Sequence, residues 1–122
     1  GTPGAARALL ATLRGGGALG MLIDQDTKVE GVFVPFFGRL AWTPVGAAEL
    51  ASRFGAAVLP TFIEREADGR HRGRIYAEMA LPDDPTAATS KMTAAIEAQI
   101  RARPEQWVWL HRRWRRRPQE AA

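Results

Sequence analysis

Few side chains in this sequence can do chemistry near neutral pH. The chain has two histidines, His71 and His111, and no cysteine. A neutral imidazole is the usual general base at pH 7. His71 falls in a charged stretch, Glu64-Arg-Glu-Ala-Asp-Gly-Arg-His71, and reads as a surface residue. His111 lies between Leu110 and Arg112, with no adjacent carboxylate to fix its tautomer, so a structural or phosphate-contacting role is favoured over catalysis. Ser52 and Ser90 have no glycine elbow, which leaves nucleophilic serine chemistry unsupported. Gly15-Gly16-Gly17 is not followed by Lys-Ser/Thr and precedes an apolar run, so it is no phosphate-binding P-loop. Asp24-Gln25-Asp26 places two carboxylates directly after that run. Such a pair can orient a base, accept bonds from a polar substrate, bind a metal, or simply make a turn.

The densest stretch is Pro104 to Pro118, PEQWVWLHRRWRRRP, with three tryptophans, one histidine and five arginines. Interleaved indoles and guanidiniums suit a surface that meets both an apolar partner and phosphate or carboxylate. They equally suit a C-terminal helix whose Trp face closes the core while its Arg face is solvated.

Composition sharpens the choice of partner. Seventeen basic against thirteen acidic residues give a net charge of +4, and only Lys28 and Lys91 are lysine. Arginine binds phosphate and carboxylate through two parallel N–H groups, so an anionic partner is favoured. Without cysteine there is no disulfide, zinc-thiolate or thiol chemistry. No apolar run approaches the ~20 residues that span a bilayer. The opening Gly1-Thr-Pro-Gly has neither the basic start nor the apolar core of a signal peptide, and without an initiator Met the chain reads as part of something longer. Nucleic acid is not expected: the arginines crowd one end, and no aromatic RNA-binding strand or helix-turn-helix stands out.

The elements that would position these residues follow from periodicity. Residues 4–14 read as a helix, with Ala5, Ala8, Leu9 and Leu13 at three- and four-residue spacings, stopped by the glycine run. Residues 18–23 have the length and continuity of a strand buried on both faces, as in a parallel sheet. Val32-Phe-Val-Pro-Phe-Phe-Gly38 reads as an extended segment laying rings into an apolar crevice, since Pro35 bars a central strand. Thr43 is the expected N-cap, and Pro44 the first position, of a helix running to Phe54 and ended by Gly55. Residues 56–63 form a second expected buried strand, making a right-handed crossover. An Asp68-Gly69 turn then folds residues 58–80 into a hairpin. A last helix opens at Thr86 or Thr89, presents Met92, Ala95, Ile96, Gln99 and Ile100 on one face, and ends before Pro104. The expected class is α/β, one domain, a three-layer sheet with flanking helices.

The order of motifs carries a family likeness. Asp24-Gln-Asp26, Val32-Phe-Val-Pro-Phe-Phe-Gly38, Thr43-Pro44, Val58-Leu-Pro-Thr-Phe-Ile-Glu-Arg65, Ile96-Glu97, Ile100-Arg101 and the closing Pro104-Glu-Gln-Trp-Val-Trp-Leu-His-Arg-Arg-Trp114 succeed one another. This resembles the bacterial lipid A biosynthesis acyltransferases, the lauroyl/myristoyl transferases of the lysophospholipid acyltransferase superfamily, over essentially the whole chain. The resemblance implies transfer of an acyl chain from acyl carrier protein to a hydroxyl of a lipid A precursor, at the cytoplasmic face of the inner membrane. Neither cofactor nor metal is implied. The family's chemistry rests on a His followed five positions later by Asp or Glu; here His71 is followed by Tyr76 and His111 by Arg116. The implied reading of residues 1–122 is therefore the C-terminal portion of such a domain, inactive alone, with the dyad and membrane helix upstream. Asp24 and Asp26 become site-proximal. Phe33, Phe36, Phe37 and Thr43 are expected on the substrate side, the phenylalanines along the acyl chain. His111, Arg112, Arg113 and Arg115 are expected to meet lipid phosphates or anionic headgroups, and the same arginines would attract an acidic carrier protein. A domain missing its first half should leave an unpaired strand edge or apolar face, exposed or covered by a second copy as a dimer. The rival expectation is a non-enzymatic basic module that docks on anionic lipid or an acidic protein.

Overall fold

The computed structural model describes residues 3–120. It is built of three helices and two hairpins. Helix α1 spans Pro3–Arg14, strands β1 and β2 span Gly31–Phe36 and Arg39–Pro44, and helix α2 spans Gly46–Phe54. Strands β3 and β4 span Thr61–Arg65 and His71–Ile75, and helix α3 spans Pro85–Ala102. Single 3-10 turns follow at Pro104–Gln106 and Pro118–Glu120.

The helices largely follow their sequence signals. After α1 the amides of Gly15 and Gly17 return to Ala11 and Thr12 carbonyls at 3.0 and 2.9 Å. Gly55 ends α2 in the left-handed region, φ 58°, where a Cβ would be strained. Helix α3 is capped by Asp84, whose carboxylate accepts the Ala87 N–H at 2.8 Å, with Pro85 in the first turn. The cap is thus neither Thr86 nor Thr89, and Thr89 is buried inside the helix face.

The sheet departs from expectation. There are two separate two-stranded antiparallel sheets, β1–β2 and β3–β4, and no parallel pair among the described residues. Helix α2 connects strands of different sheets, so the anticipated crossover and three-layer sheet are corrected to a mixed α/β arrangement of hairpins flanked by helices. Residues 18–23 are extended but unpaired: Leu22 stands 91 % exposed while Ile23 is buried. An apolar run becomes a strand only where another strand offers its amides and carbonyls, and none lies beside it among the described residues. The 56–63 segment is likewise not a buried strand. Ile63 and, on the partner strand, Ile75 are more than 70 % exposed. The 58–80 hairpin itself stands, turning at Gly69 (φ 87°) and extended by Tyr76 N–H to Pro60 O and Met79 N–H to Val58 O, both 2.9 Å.

The β1–β2 hairpin went unforeseen. Its two-residue turn is Phe37-Gly38, both at positive φ (51° and 76°). That is a type I′ geometry, which matches strand twist but rarely accepts a phenylalanine. The Phe37 N–H donates to Glu97 of α3, and Arg101 lies 4.6 Å over the Phe37 ring, so tertiary contacts hold the unfavourable residue in place. Pro35 is tolerated because this small sheet is all edge. Thr43 lies in β2 and caps nothing; α2 begins after Val45 without a side-chain cap. A residue preceding proline is pushed toward extended backbone, which favours strand over cap at Thr43.

Helix α3 is the spine. Its first half packs Ala88 and Met92 against Ala48 of α2 and Ile23. Its second half places Ile100 against Phe36 and Ala41 of the first hairpin, with Trp107 and Trp114 closing over them. Glu64 of β3 turns inward to accept from Gln99 at 2.8 Å, and Arg74 and Arg103 approach its other oxygen at 3.6 Å. The Gln106 side chain binds the Arg65 N–H and C=O at 2.7 and 2.9 Å, acting as a substitute peptide along the β3 edge.

Candidate functional site: the terminal strap over the Asp24–Asp26 loop

Beyond α3 the chain makes no further helix of length. Residues 104–118 run as a strap across the first hairpin and the Asp24–Asp26 loop, and both carboxylates of that loop, with the Asp26 backbone, meet the strap. The Trp107 Nε1–H donates to Asp24 Oδ2 at 3.2 Å. The Asp26 N–H donates to His111 Nε2 at 3.0 Å. The Arg116 N–H donates to Asp26 Oδ2 at 2.9 Å, and the Arg115 guanidinium stands 3.5 Å from Oδ1. Asp26 is buried, 3 % exposed, and is the hub of this closure. His111, by accepting at Nε2, must carry its lone pair there and any imidazole proton on Nδ1.

Arg113 is the largest fully buried side chain among the described residues. Its two NH groups donate to Trp42 O and Thr43 Oγ1, each at 2.6 Å, and its guanidinium lies 5.2 Å from the Phe36 ring centre. Burial pushes its pKa down, and the carboxylates of Asp26 and Asp24 push it back up. Arginine keeps its charge regardless, so the fold encloses a cation whose compensation is those acceptors, the ring face and the two aspartates.

The expected site residues therefore divide. Asp24, Asp26, Thr43, His111, Arg113 and Arg115 are brought together, and Phe36 and Phe37 lie beside them. Phe33 instead packs edge-on against Trp42, its cross-strand partner, at 5.0 Å. Arg113, expected to face an anion, is turned inward because β2 offers it two acceptors. Thr43 and Phe36 are buried under it and have no free surface. The exposed cations are Arg112, Arg115, Arg117 and, from the hairpin tip, Arg39. Arg39, Leu40, Trp114, Arg117, Pro118 and Gln119 line an open groove there.

Several contributors escaped sequence reasoning. Trp42 supplies a carbonyl to Arg113 and a ring to Arg116, 4.6 Å away. Glu97 holds the Phe37 turn, and binding by that N–H, with Arg101 adding to it, keeps its carboxyl below the usual range. Glu97 stood in the sequence only as part of the Ile96-Glu97 motif, with Arg101 four residues on, and neither signal points to the Phe37 turn. Chemically, both aspartates are engaged by donors from the strap, and the arrangement is a lock that seats the strap. No His-x4-Asp/Glu pair occurs in the sequence, and no group of three or more metal-ligating side chains clusters among the described residues. No helix among them is long and apolar enough to cross a membrane.

The two halves of this lock, the Asp24–Asp26 loop and the tryptophan–arginine strap, fall together inside one family model. The model for bacterial lipid A biosynthesis acyltransferases matches residues 2–116. The chain belongs to that family. It is 36 % identical over 116 residues to the lipid A biosynthesis palmitoleoyltransferase of Escherichia coli K12, covering 92 % of this chain and 38 % of that protein. It is 35 % identical over 96 residues to the lauroyltransferase of the same organism, covering 72 % of this chain and 30 % of the relative. It is 34 % identical over 95 residues to the phosphatidylinositol mannoside acyltransferase of Mycolicibacterium smegmatis, covering 77 % and 31 %. The chain thus spans between 30 % and 38 % of the length of these relatives. The aspartate loop and the strap as far as Arg116 both lie within the residues that the family model matches.

Proposed function

We propose that this chain forms the C-terminal part of an acyltransferase that moves a fatty acyl chain from an acyl carrier protein thioester to a hydroxyl of a lipid A precursor, at the cytoplasmic face of the inner membrane. The observation that carries the reading is the family match over residues 2–116, which embraces the aspartate loop and the strap as far as Arg116. In such a transfer the acceptor oxygen attacks the thioester carbonyl, a C–O bond forms, and the C–S bond breaks. The hydroxyl proton passes to a base and from there to the departing thiolate. The base and its orienting carboxylate are assigned to sequence preceding this chain, because neither histidine here has an acid five positions on. Residues 1–122 then contribute the floor of the site: the aspartate loop held rigid, the Phe37 ring at the hairpin tip, and the outward arginines Arg112 and Arg115 toward acidic carrier or lipid phosphate. Arg113, Thr43 and Phe36 act from beneath as positioning residues.

The test uses the longer polypeptide that contains this chain, given acyl carrier protein loaded with fatty acids of several lengths and a purified lipid A precursor. An added acyl mass on the precursor is expected, and none from residues 1–122 alone. No product with any donor, from folded protein, would reject the transferase reading and favour a basic module that only docks on an anionic partner.

A further inference from the structure

We propose that the tip of the first hairpin and the middle of the strap form one lipid-docking face, in which Val108, Trp109 and Leu110 enter the headgroup layer of an anionic bilayer. The inference deepens the acyltransferase reading and rests on it only for placing the protein near a membrane. Leu110 is 96 % exposed, Val108 63 % and Trp109 52 %, three consecutive apolar residues that the other described residues leave largely uncovered. They are held there: Trp109 donates through Nε1 to Pro104 O and packs on Trp107 at 4.8 Å and on Phe37 at 6.2 Å. Through Phe37 the patch continues into the hairpin tip, where Arg39 lies 5.4 Å over Trp114 beside the exposed Leu40. Arg39, Arg112 and Arg117 around this patch have no carboxylate partner among the described residues.

The occupant follows from shape and charge. A second copy would set arginine against arginine and is disfavoured. A protruding apolar tip needs no matching cavity in a bilayer, tryptophan prefers the interface, and the surrounding guanidiniums reach the phosphate level. Each basic group near an anionic surface adds to the attraction, and salt weakens it.

The chain's lack of cysteine allows a single environment-sensitive fluorophore to be attached at Leu110→Cys, with Ser52→Cys on the exposed side of α2 as control. With phosphatidylcholine vesicles containing phosphatidylglycerol, the label at 110 should shift to the blue and lose collisional quenching, while the label at 52 should not. Pure phosphatidylcholine should give neither change. In sedimentation, Val108→Ser/Leu110→Ser should weaken binding about tenfold or more, since two buried apolar side chains are lost. Arg39→Ala/Arg112→Ala/Arg117→Ala should abolish the preference for anionic lipid. Equal responses at 110 and 52, unchanged binding by the serine variant, or a response at 110 to acyl carrier protein but not to vesicles would overturn the proposal. The vesicles contain neither acyl donor nor lipid A precursor. Failure of the transferase reading would therefore leave this result untouched, and transfer measured in detergent would survive failure of docking.

Discussion

Replacing Arg113 by methionine keeps much of the apolar stem and removes the two N–H groups that meet Trp42 O and Thr43 Oγ1 at 2.6 Å. Thr43 is fully buried, so its freed oxygen gains no water. Leaving a buried acceptor unsatisfied costs about 1–3 kcal/mol, and a hydrogen bond to a charged group is worth about 1.5–3 kcal/mol. Against this stands the relief of no longer burying a guanidinium, which in other buried ionic sites offsets part of the loss. A net destabilisation of about 2–4 kcal/mol is expected, and for a domain of this size about 3–6 °C of melting temperature accompanies each kcal/mol. The strap's tryptophans report it by fluorescence during urea or thermal unfolding. Arg112→Met, on an exposed neighbour, should stay within about 0.5 kcal/mol of wild type. Arg113→Lys should fall between, because one ammonium cannot reproduce the planar fork. Equal stability of Arg113→Met and Arg112→Met would refute the inward seating of Arg113 and with it the strap as a lock.

A Cβ at Gly31 would lie 2.5 Å from Thr43 O and 2.9 Å from the Trp42 ring, so Gly31→Ala should cost about 1–3 kcal/mol in urea unfolding. Gly73→Ala, with open space around it, is the matched control and should unfold with a midpoint close to wild type. Glu97 has a folded pKa lowered from the ordinary 4.5, chiefly by the Phe37 N–H. Its stabilising contribution is therefore present above 4.5 and is lost as pH falls through the lower folded value. Urea midpoints of wild type and Glu97→Gln should accordingly differ most near neutrality and converge on acidification. His111→Leu leaves the Asp26 N–H without its acceptor and should lower stability by about 1–2 kcal/mol, while His111→Gln, which keeps an acceptor oxygen, should recover part of it. Identical unfolding curves for the two His111 variants would remove that contact from the lock.

Local signals served well where a local rule decides the outcome. The helix stops at Gly15 and Gly55, the Asp68-Gly69 turn and the α3 periodicity needed nothing beyond near neighbours. The first hairpin was hidden because its turn places Phe37 where glycine or asparagine is usual. That choice is made tolerable by Glu97 and Arg101, sixty and more residues away. The run at 18–23 misled for a related reason: apolar continuity shows that a segment will be extended and partly buried, but only a paired neighbour makes it a strand. Thr43-Pro44 satisfied the rule for a helix start and also the rule that a residue before proline is extended, and the fold used the second.

By itself the sequence determined that the chain is arginine-rich with a net charge of +4, that it has three helices and a second hairpin, and, through the ordered motifs ending at Trp114, the family to which it belongs. Only the tertiary structure decided how the strap divides its cations. Guanidiniums at 112, 113 and 115 are chemically identical, and no pattern within the strap marks which will be enclosed. Arg113 turns inward because Trp42 and Thr43, seventy residues earlier, present two acceptors beside the Phe36 ring, while Asp26 and Asp24 stand near enough to balance its charge. Arg112 meets no such acceptors and stays in solvent.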